Sequence, residues 1–463
     1  MSFDSAGYLV FLPLVFALHW LCPAKGRWAV LLAASCFFYM SWNVPLTLLL
    51  LAVVGTSWLA GLALAREAHP ASRRLVVMLA LGICLGLLGY FKYFNFLAQT
   101  LSALLGGTWD PWDIILPMGC SFYTFQAVSY VIDVYRGDLA AERHFGYYTL
   151  YISFFPQLVA GPIERAGDLL PQLRGERRLA RADLRQGLRL LLSGFFRKVV
   201  IADFCGRFVT AVYAAPSPDG SAVLAGTLLF ALQIYCDFSG YSEIAAGSAR
   251  LLGVRLMRNF DRPYLSGTVR EFWRRWHISL SRWFTDYLYI PLGGSRRGFG
   301  RRLGATLLVF AVSGLWHGAD WTFVVWGLLH GGYLALELLG ERAGIGPPRT
   351  RAGRAARWAL TFAAVTFAWI FFRADSLGHA AMLIRRLFSP WDFGAGLTGL
   401  EMGLPDGLRL ALTLALCPAV YRLGLEEERV ADMTCVYAFL AIATAWLIRL
   451  GQGGANTFIY FQF

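Results

Sequence analysis

The chain is short of charge. Only 15% of its 463 residues are Asp, Glu, Lys or Arg, against 57% hydrophobic and 15% aromatic, which leaves too little polar surface to wrap a water-soluble core of this size. The composition places the chain in a bilayer. Acidic residues are scarcer than basic ones, 29 against 42, for a net charge of +13. The excess sits mostly in short arginine clusters between apolar runs, the pattern of positive-inside loops rather than of a continuous nucleic-acid-binding stripe. That pattern argues against a nucleic-acid partner. The eight cysteines show neither CxxC pairs nor a disulfide-like spacing, so the thiols read as small apolar groups. Walker A, GxSxG and HExxH sequences are missing, and no glycine fingerprint stands between a strand and a helix as a Rossmann site needs, which removes support for a nucleotide-driven pump, a dinucleotide enzyme, a serine hydrolase and a zincin. Without a Pro/Ser-rich linker or an internal repeat, residues 1–463 are expected to form a single domain.

What is present is a succession of apolar segments, near residues 7–22, 27–43, 44–65, 75–105, 111–135, 148–161, 190–214, 222–253, 303–339, 358–372, 407–424 and 434–450. They predict an all-α polytopic membrane protein of roughly 11 to 13 transmembrane, re-entrant and interfacial helices. Several fall short of the ~20 residues of a straight span. Some must therefore be re-entrant, which is tolerated only where protein or a cavity surrounds them. The first apolar stretch lacks the basic region and cleavage site of a secretory signal and reads as a retained span. Basic regions at 66–74, 165–198, 255–302 and 342–357 are assigned to the cytoplasmic face, and the base-free PSPDGS at 216–221 to the other.

Three stretches carry ionisable groups where apolar ones are expected. On a helical wheel drawn through TVREFWRRWHISLSRWFTDYLYIPLGG (268–294), Trp273, Trp276, Leu280, Trp283, Phe284 and Tyr287 share one face, while Arg270, Arg274, Arg275, Arg282, Thr285 and Asp286 share the other. His277 falls within the aromatic stripe and is turned inward. The arginine face suits anionic lipid headgroups as well as it suits a phosphorylated substrate. In LLVFAVSGLWHGADWTFVVWGLLHGGYLALE (307–337), two apolar arms join at HGAD. Counted from Arg302 at 1.5 Å per helical residue, His317 lies about 22 Å into a hydrocarbon layer ~30 Å thick. An ionisable group at that depth marks a pathway or a pair, and Asp320 is a candidate partner unless it serves the exposed backbone at the break. His330 reads as packing. The third stretch, LQIYCDFSGYSEIAAG (232–247), sets Asp237, Ser239, Tyr241, Ser242 and Glu243 in an apolar run, either as a structural network or along an acceptor path. A metal site built on His277 and His317 would lack a Cys or carboxylate at ligand spacing, and none is expected.

The motifs ILPMGCSFYTFQAVSYVIDVYRG (115–137), FFPQLVAGPIER (154–165), IYCDFSGYSEIAAG (234–247), NFDRPYLSGTVREFWRRWHISLSRWFTDYLYIPLGGSR (259–296), SGLWHGADWTFVVWGLLHG (313–331) and the terminal FIYFQF occur in that order. With them the chain resembles the membrane-bound O-acyltransferase superfamily, most closely its bacterial alginate O-acetylation branch. The resemblance implies a helical bundle around an intramembrane tunnel, with catalytic His317 and a second functional histidine, His277. Asp237, Tyr241, Trp273, Arg274, Trp316 and Asp320 are the substrate-binding candidates. It also implies a multi-pass protein of the bacterial inner membrane in contact with lipid. Acetyl-CoA would be the donor substrate, with no bound cofactor, and a periplasmic SGNH-type acetyltransferase or another exopolysaccharide-modification protein would be the partner. The acceptor would be alginate or a similar polysaccharide. Relatives with similar motifs serve peptidoglycan, cellulose, or D-alanyl transfer from a carrier-protein thioester to teichoic acid. A non-enzymatic acyl or glycan transporter would also need a polar path, but the chain shows no inverted repeat.

Overall fold

The computed structural model describes residues 1–159, 161–400 and 402–423. The apolar run at 434–450 and the terminal FIYFQF lie outside the described residues. Those residues carry twenty α-helices, two short 3-10 turns and three π-helical turns, and no strand. Five helical segments are long and apolar enough to cross a membrane: Thr47–Arg66, Pro70–Leu104, Gly220–Leu251, Trp321–Arg342 and Arg351–Arg373. The chain is a multi-pass membrane protein. Its internal contacts divide it into two units, Met1–Leu191 with Ile244–Met257, and Leu192–Glu243 with the chain from Arg258 on.

The first unit opens with α1 (Ala6–Leu21), α2 (Arg27–Met40), α3 (Thr47–Arg66), α4 (Pro70–Leu88) and α5 (Phe94–Leu104). The last two run on through a π-helical turn at Gly89–Tyr93, giving 35 continuous residues, about 50 Å at 1.5 Å each. Next come α6 (Cys120–Arg136), α7 (Phe145–Ser153), α8 (Phe155–Leu158), α9 (Ala166–Arg174) and α10 (Arg181–Phe195). The residues from 105 to 119, which include the first nine of the apolar segment expected at 111–135, are not helical. Two buried hydroxyl pairs tie distant helices of this unit together, as an apolar surrounding favours: Tyr8 pairs with Ser248 at 2.7 Å, and Tyr148 donates to Ser57 at 2.7 Å. Outside the spans, Glu164 is buried and accepts the Met257 backbone N–H at 2.6 Å. Burial pushes its pKa up to about 8.

The second unit holds α11 (Asp203–Ala214), most of α12 (Gly220–Leu251), α13 (Val269–Arg275), α14 (Ile278–Phe284), α15 (Phe299–His317), α16 (Trp321–Arg342), α17 (Arg351–Arg373), α18 (Leu377–Leu387), α19 (Phe393–Gly399) and α20 (Leu404–Leu423). Helices α15 and α16 pack back along each other after the HGAD turn. Two glycines set their separation, because a Cβ on Gly314 would stand 2.2 Å from the Phe323 carbonyl oxygen and one on Gly327 would stand 2.2 Å from that of Phe310. In a membrane, where lipid is as apolar as leucine, such close backbone approach supplies the dispersion that holds helices together. Trp326 of α16 stacks on Trp369 of α17 at 5.6 Å between ring centroids.

One expectation is corrected here. Residues 268–294 do not form one helix: α13 closes when the Trp276 N–H bonds the Phe272 carbonyl at 2.8 Å, and His277 then turns into the left-handed region at φ 44° and ψ 55°. Helix α14 starts afresh behind it, followed by a π-helical turn at Thr285–Tyr289. The wheel nonetheless sorts the side chains. Trp273, Trp276, His277, Leu280, Trp283 and Phe284 are buried, whereas Arg274, Arg282 and Thr285 are exposed.

Candidate active site

His317 is the last residue of α15, buried, with its ring held from its own helix. The Nδ1–H donates to the Ser313 carbonyl, four residues earlier, at 2.6 Å. A carbonyl only accepts, so the proton of the neutral imidazole sits on Nδ1 and the lone pair on Nε2. The ring is walled by Trp316, Trp326 and Phe372, at 5.0, 4.8 and 5.7 Å between centroids.

The His277 ring centre lies 6.4 Å from that of His317. Trp316 touches both rings, standing 5.7 Å from His277, and Phe238 of α12 meets His277 edge-on at 4.8 Å. The His277 backbone is strained, since a left-handed non-glycine residue costs about 1–3 kcal/mol and persists only where its neighbours determine it. The structure thus brings together the two histidines singled out in separate motifs, with Trp316 packed against both.

The other candidates occupy distinct places. Asp237 pairs with Lys198 at 3.0 Å, and Lys198 also binds Asp203 at 2.6 Å. Beside them, Arg197 pairs with Glu243 at 3.0 Å and donates to Ser239 at 3.2 Å, while Tyr241 lays its ring 5.8 Å from the Lys198 ammonium. The polar stretch of α12 thus belongs to a paired ion network, the arrangement buried charge requires. Asp320 does not reach His317 by any recorded bond. Its carboxylate caps α16, accepting the Thr322 N–H at 2.8 Å. Trp273 donates its indole N–H to His330 Nδ1 at 3.2 Å, and His330 is packed among Phe272, Trp326 and Trp369. Among the described residues, no three His, Cys, Asp or Glu side chains gather as metal ligands.

A cavity of 610 Å³ is lined by neither His277 nor His317 but by a residue adjoining each, Ile278 and Ser313. Arg302, Thr306, Val309, Phe310 and Ser313 line it from one face of α15, a stripe rising about 16 Å at 1.5 Å per residue. Arg270, Arg274, Arg282 and Arg302 also line it, Arg274 and Arg282 exposed, together with Ile278, which follows His277, and Ser313, which holds His317. Trp273 and Leu334 contribute apolar surface. Arg270 is paired with Glu341 of α16 at 2.5 Å. One turn earlier on α16, Glu337 accepts the backbone N–H groups of Val269 and Arg270 at 2.6 and 3.2 Å, capping α13. A slender molecule with an anionic head and an apolar arm fits these walls: guanidinium groups meet phosphate, and the arm runs toward the histidines.

Sequence reading missed Asn259, Ser279 and Ser313, which hold the two rings. Ser313 had a signal, being four residues before His317 on a helix. Asn259 had none, since it precedes His277 by 18 residues, with α13 between them.

Residues 142–377 match the model of the MBOAT, membrane-bound O-acyltransferase family. A probable alginate O-acetylase AlgI of Pseudomonas putida is 36% identical over 100% of both chains. A peptidoglycan O-acetyltransferase of Helicobacter pylori is 33% identical over 81% of this chain and 77% of its own. A teichoic acid D-alanyltransferase of Bacillus subtilis is 27% identical over 48% of this chain and 58% of its own. The chain belongs to the membrane-bound O-acyltransferase family, and it is an O-acyltransferase.

Proposed function

We propose that this chain moves an acetyl group from cytoplasmic acetyl-CoA, across the bacterial inner membrane, toward an extracytoplasmic polysaccharide, alginate or a similar exopolysaccharide, through a periplasmic SGNH-type acetyltransferase. The observation that carries this reading is the cavity lined by four arginines, by apolar side chains and by a neighbour of each histidine. The relative of Pseudomonas putida, matched over its full length, supports the acetyl group and the glycan.

In this reading the CoA phosphates lie at the arginines and the pantetheine arm follows the α15 stripe. His317 Nε2 takes the proton of the acceptor hydroxyl as its oxygen attacks the thioester carbonyl. The tetrahedral intermediate then expels the CoA thiolate, which recovers that proton from the imidazolium. General-base help of this kind is worth ~10²–10⁴-fold. His277 orients the reacting groups from across the pair, and the aromatic walls keep water from the thioester. A bulky polymer and CoA do not fit from one side, so the acceptor arrives from the other face as a small molecule or a side chain of the partner.

The test is thiol release from acetyl-CoA, with acetyl ester formation, by the purified chain in nanodiscs, compared with His317→Ala. Glycan acetylation retained in cells by the His317→Ala protein at normal level overturns the assignment. Use of a carrier-protein D-alanyl thioester, with acetyl-CoA inert, favours the D-alanyl alternative. Efficient polymer acetylation by the chain alone in proteoliposomes replaces the relay with direct transfer.

A further inference from the structure

The geometry around His277 points to Asn259 as a positioning residue for the transfer. Asn259 is buried in the chain between α12 and α13, and its backbone carbonyl and side-chain oxygen both serve this junction. Its backbone carbonyl accepts the Ile278 N–H at 2.9 Å. Its side-chain Oδ1 accepts the Ser279 N–H at 3.3 Å, the Ser279 hydroxyl at 3.0 Å and the His277 Nδ1–H at 3.2 Å. The Nδ2 donates to Ser242 at 3.4 Å.

The Ser279 backbone N–H can only donate, so the amide oxygen must be the atom facing the junction, and the amide orientation is settled by the network. With that oxygen before it, His277 carries its proton on Nδ1 and its lone pair on Nε2, the same tautomer that the Ser313 carbonyl imposes on His317. Asn259 also replaces the missing cap of α14, whose N-cap residue, His277, makes no side-chain capping bond. One side chain therefore fixes three things at once: the left-handed turn, the start of α14, and the tautomer of the ring 6.4 Å from His317. A purely structural cap would need only the Ser279 contact. The bond to Nδ1 is the part that reaches the chemistry, as a second group does behind a catalytic or metal-bound imidazole.

This inference rests on the reading of His277 as part of the acyl-transfer machinery, and the experiment separates the two. Full-length protein labelled with ¹⁵N-histidine in proteoliposomes is examined by solid-state NMR, where the resonances lost in His277→Gln identify the His277 pair. In Asn259→Ala, those resonances are expected to leave the Nδ1–H tautomer pattern, and acetyl transfer to fall about 10-fold or more with KM for acetyl-CoA little changed. Asn259→Asp keeps the shape and the acceptor while adding a charge that favours the imidazolium. It is expected to fold, to retain activity, and to move the acid limb of the pH profile to higher pH. The double variant Asn259→Ala/His277→Gln should be no worse than His277→Gln alone. An unchanged His277 tautomer in Asn259→Ala, an unmoved pH limb in Asn259→Asp, or additive losses in the double variant overturn the inference. Wild-type activity in His277→Gln instead overturns the functional reading of His277 itself, and the role of Asn259 with it.

Discussion

The two histidines are held in opposite ways. His317 is fixed from within one helix, by a carbonyl four residues back, and its helix is seated on α16 by glycines that admit the neighbouring backbone. His277 is fixed from outside, by a residue 18 positions upstream whose side chain must arrive at the right place. A bond inside a helix comes with the helix, at almost no further ordering cost. A bond between separate segments exists only once the tertiary structure has formed. The first arrangement tolerates changes elsewhere, and the second transmits them.

Removing each ring sharpens this contrast most. His317→Ala is expected to abolish acyl transfer while the protein accumulates normally, which glycan acetyl content and membrane protein level together measure. Loss of the protein itself would mean that His317 holds the fold rather than the reaction. His277→Gln should lower the rate by roughly 10–100-fold without abolishing it, because His317, the base of the proposed mechanism, remains in place. A complete loss would give His277 equal standing in the proton transfer.

The supports give smaller effects. Gly327→Ala drives a methyl into the Phe310 carbonyl and should cost about 1–3 kcal/mol, read as a fall in melting temperature of the detergent-solubilised protein. An unchanged melting temperature would show the seam to be slack. Asp320→Ala removes a local cap worth about 1 kcal/mol and should leave turnover near that of the native chain. If turnover collapses while the melting temperature holds, Asp320 acts on His317 after all.

A last test probes a distant contact of the same kind as Asn259 through its pH dependence. Glu164, bonded to Met257 93 residues away, has a folded pKa raised by burial from 4.5 to about 8. Its proton is bound more tightly in the folded state, so its contribution is most favourable below pH 4.5 and is lost as pH rises toward 8. Glu164→Gln should therefore flatten the decline in melting temperature over that window. A parallel decline in the variant would assign the pH dependence to other groups.

What could be read in the sequence follows the same division. The break at HGAD, the inward histidine on the 268–294 stripe and the alternation of arginine with aromatic residues are all set by neighbours within a few positions, and the structure places them as the pattern implies. The kink at His277 escaped because α13 and α14 keep the same sides buried and exposed as an unbroken helix would. Asp320 and Asp237 stood open between chemistry and structure. The nearby Thr322 N–H that Asp320 caps, and the Lys198 that holds Asp237, emerge only when backbone directions and a second helix are in place. Asn259 lay beyond any periodicity, since nothing in its own surroundings points toward residue 277.

The carboxylates of α16 change how the cavity arginines behave as an electrostatic device. Glu337 occupies the positive end of α13, and Glu341 already neutralises Arg270. An anion docking at Arg270 does not fill an empty well but competes with a resident counterion, so its capture there is an ion exchange. The attraction felt by an anionic ligand there is therefore weaker than the number of guanidinium groups suggests. It is also less steeply dependent on salt, because one negative charge leaves Arg270 as another arrives.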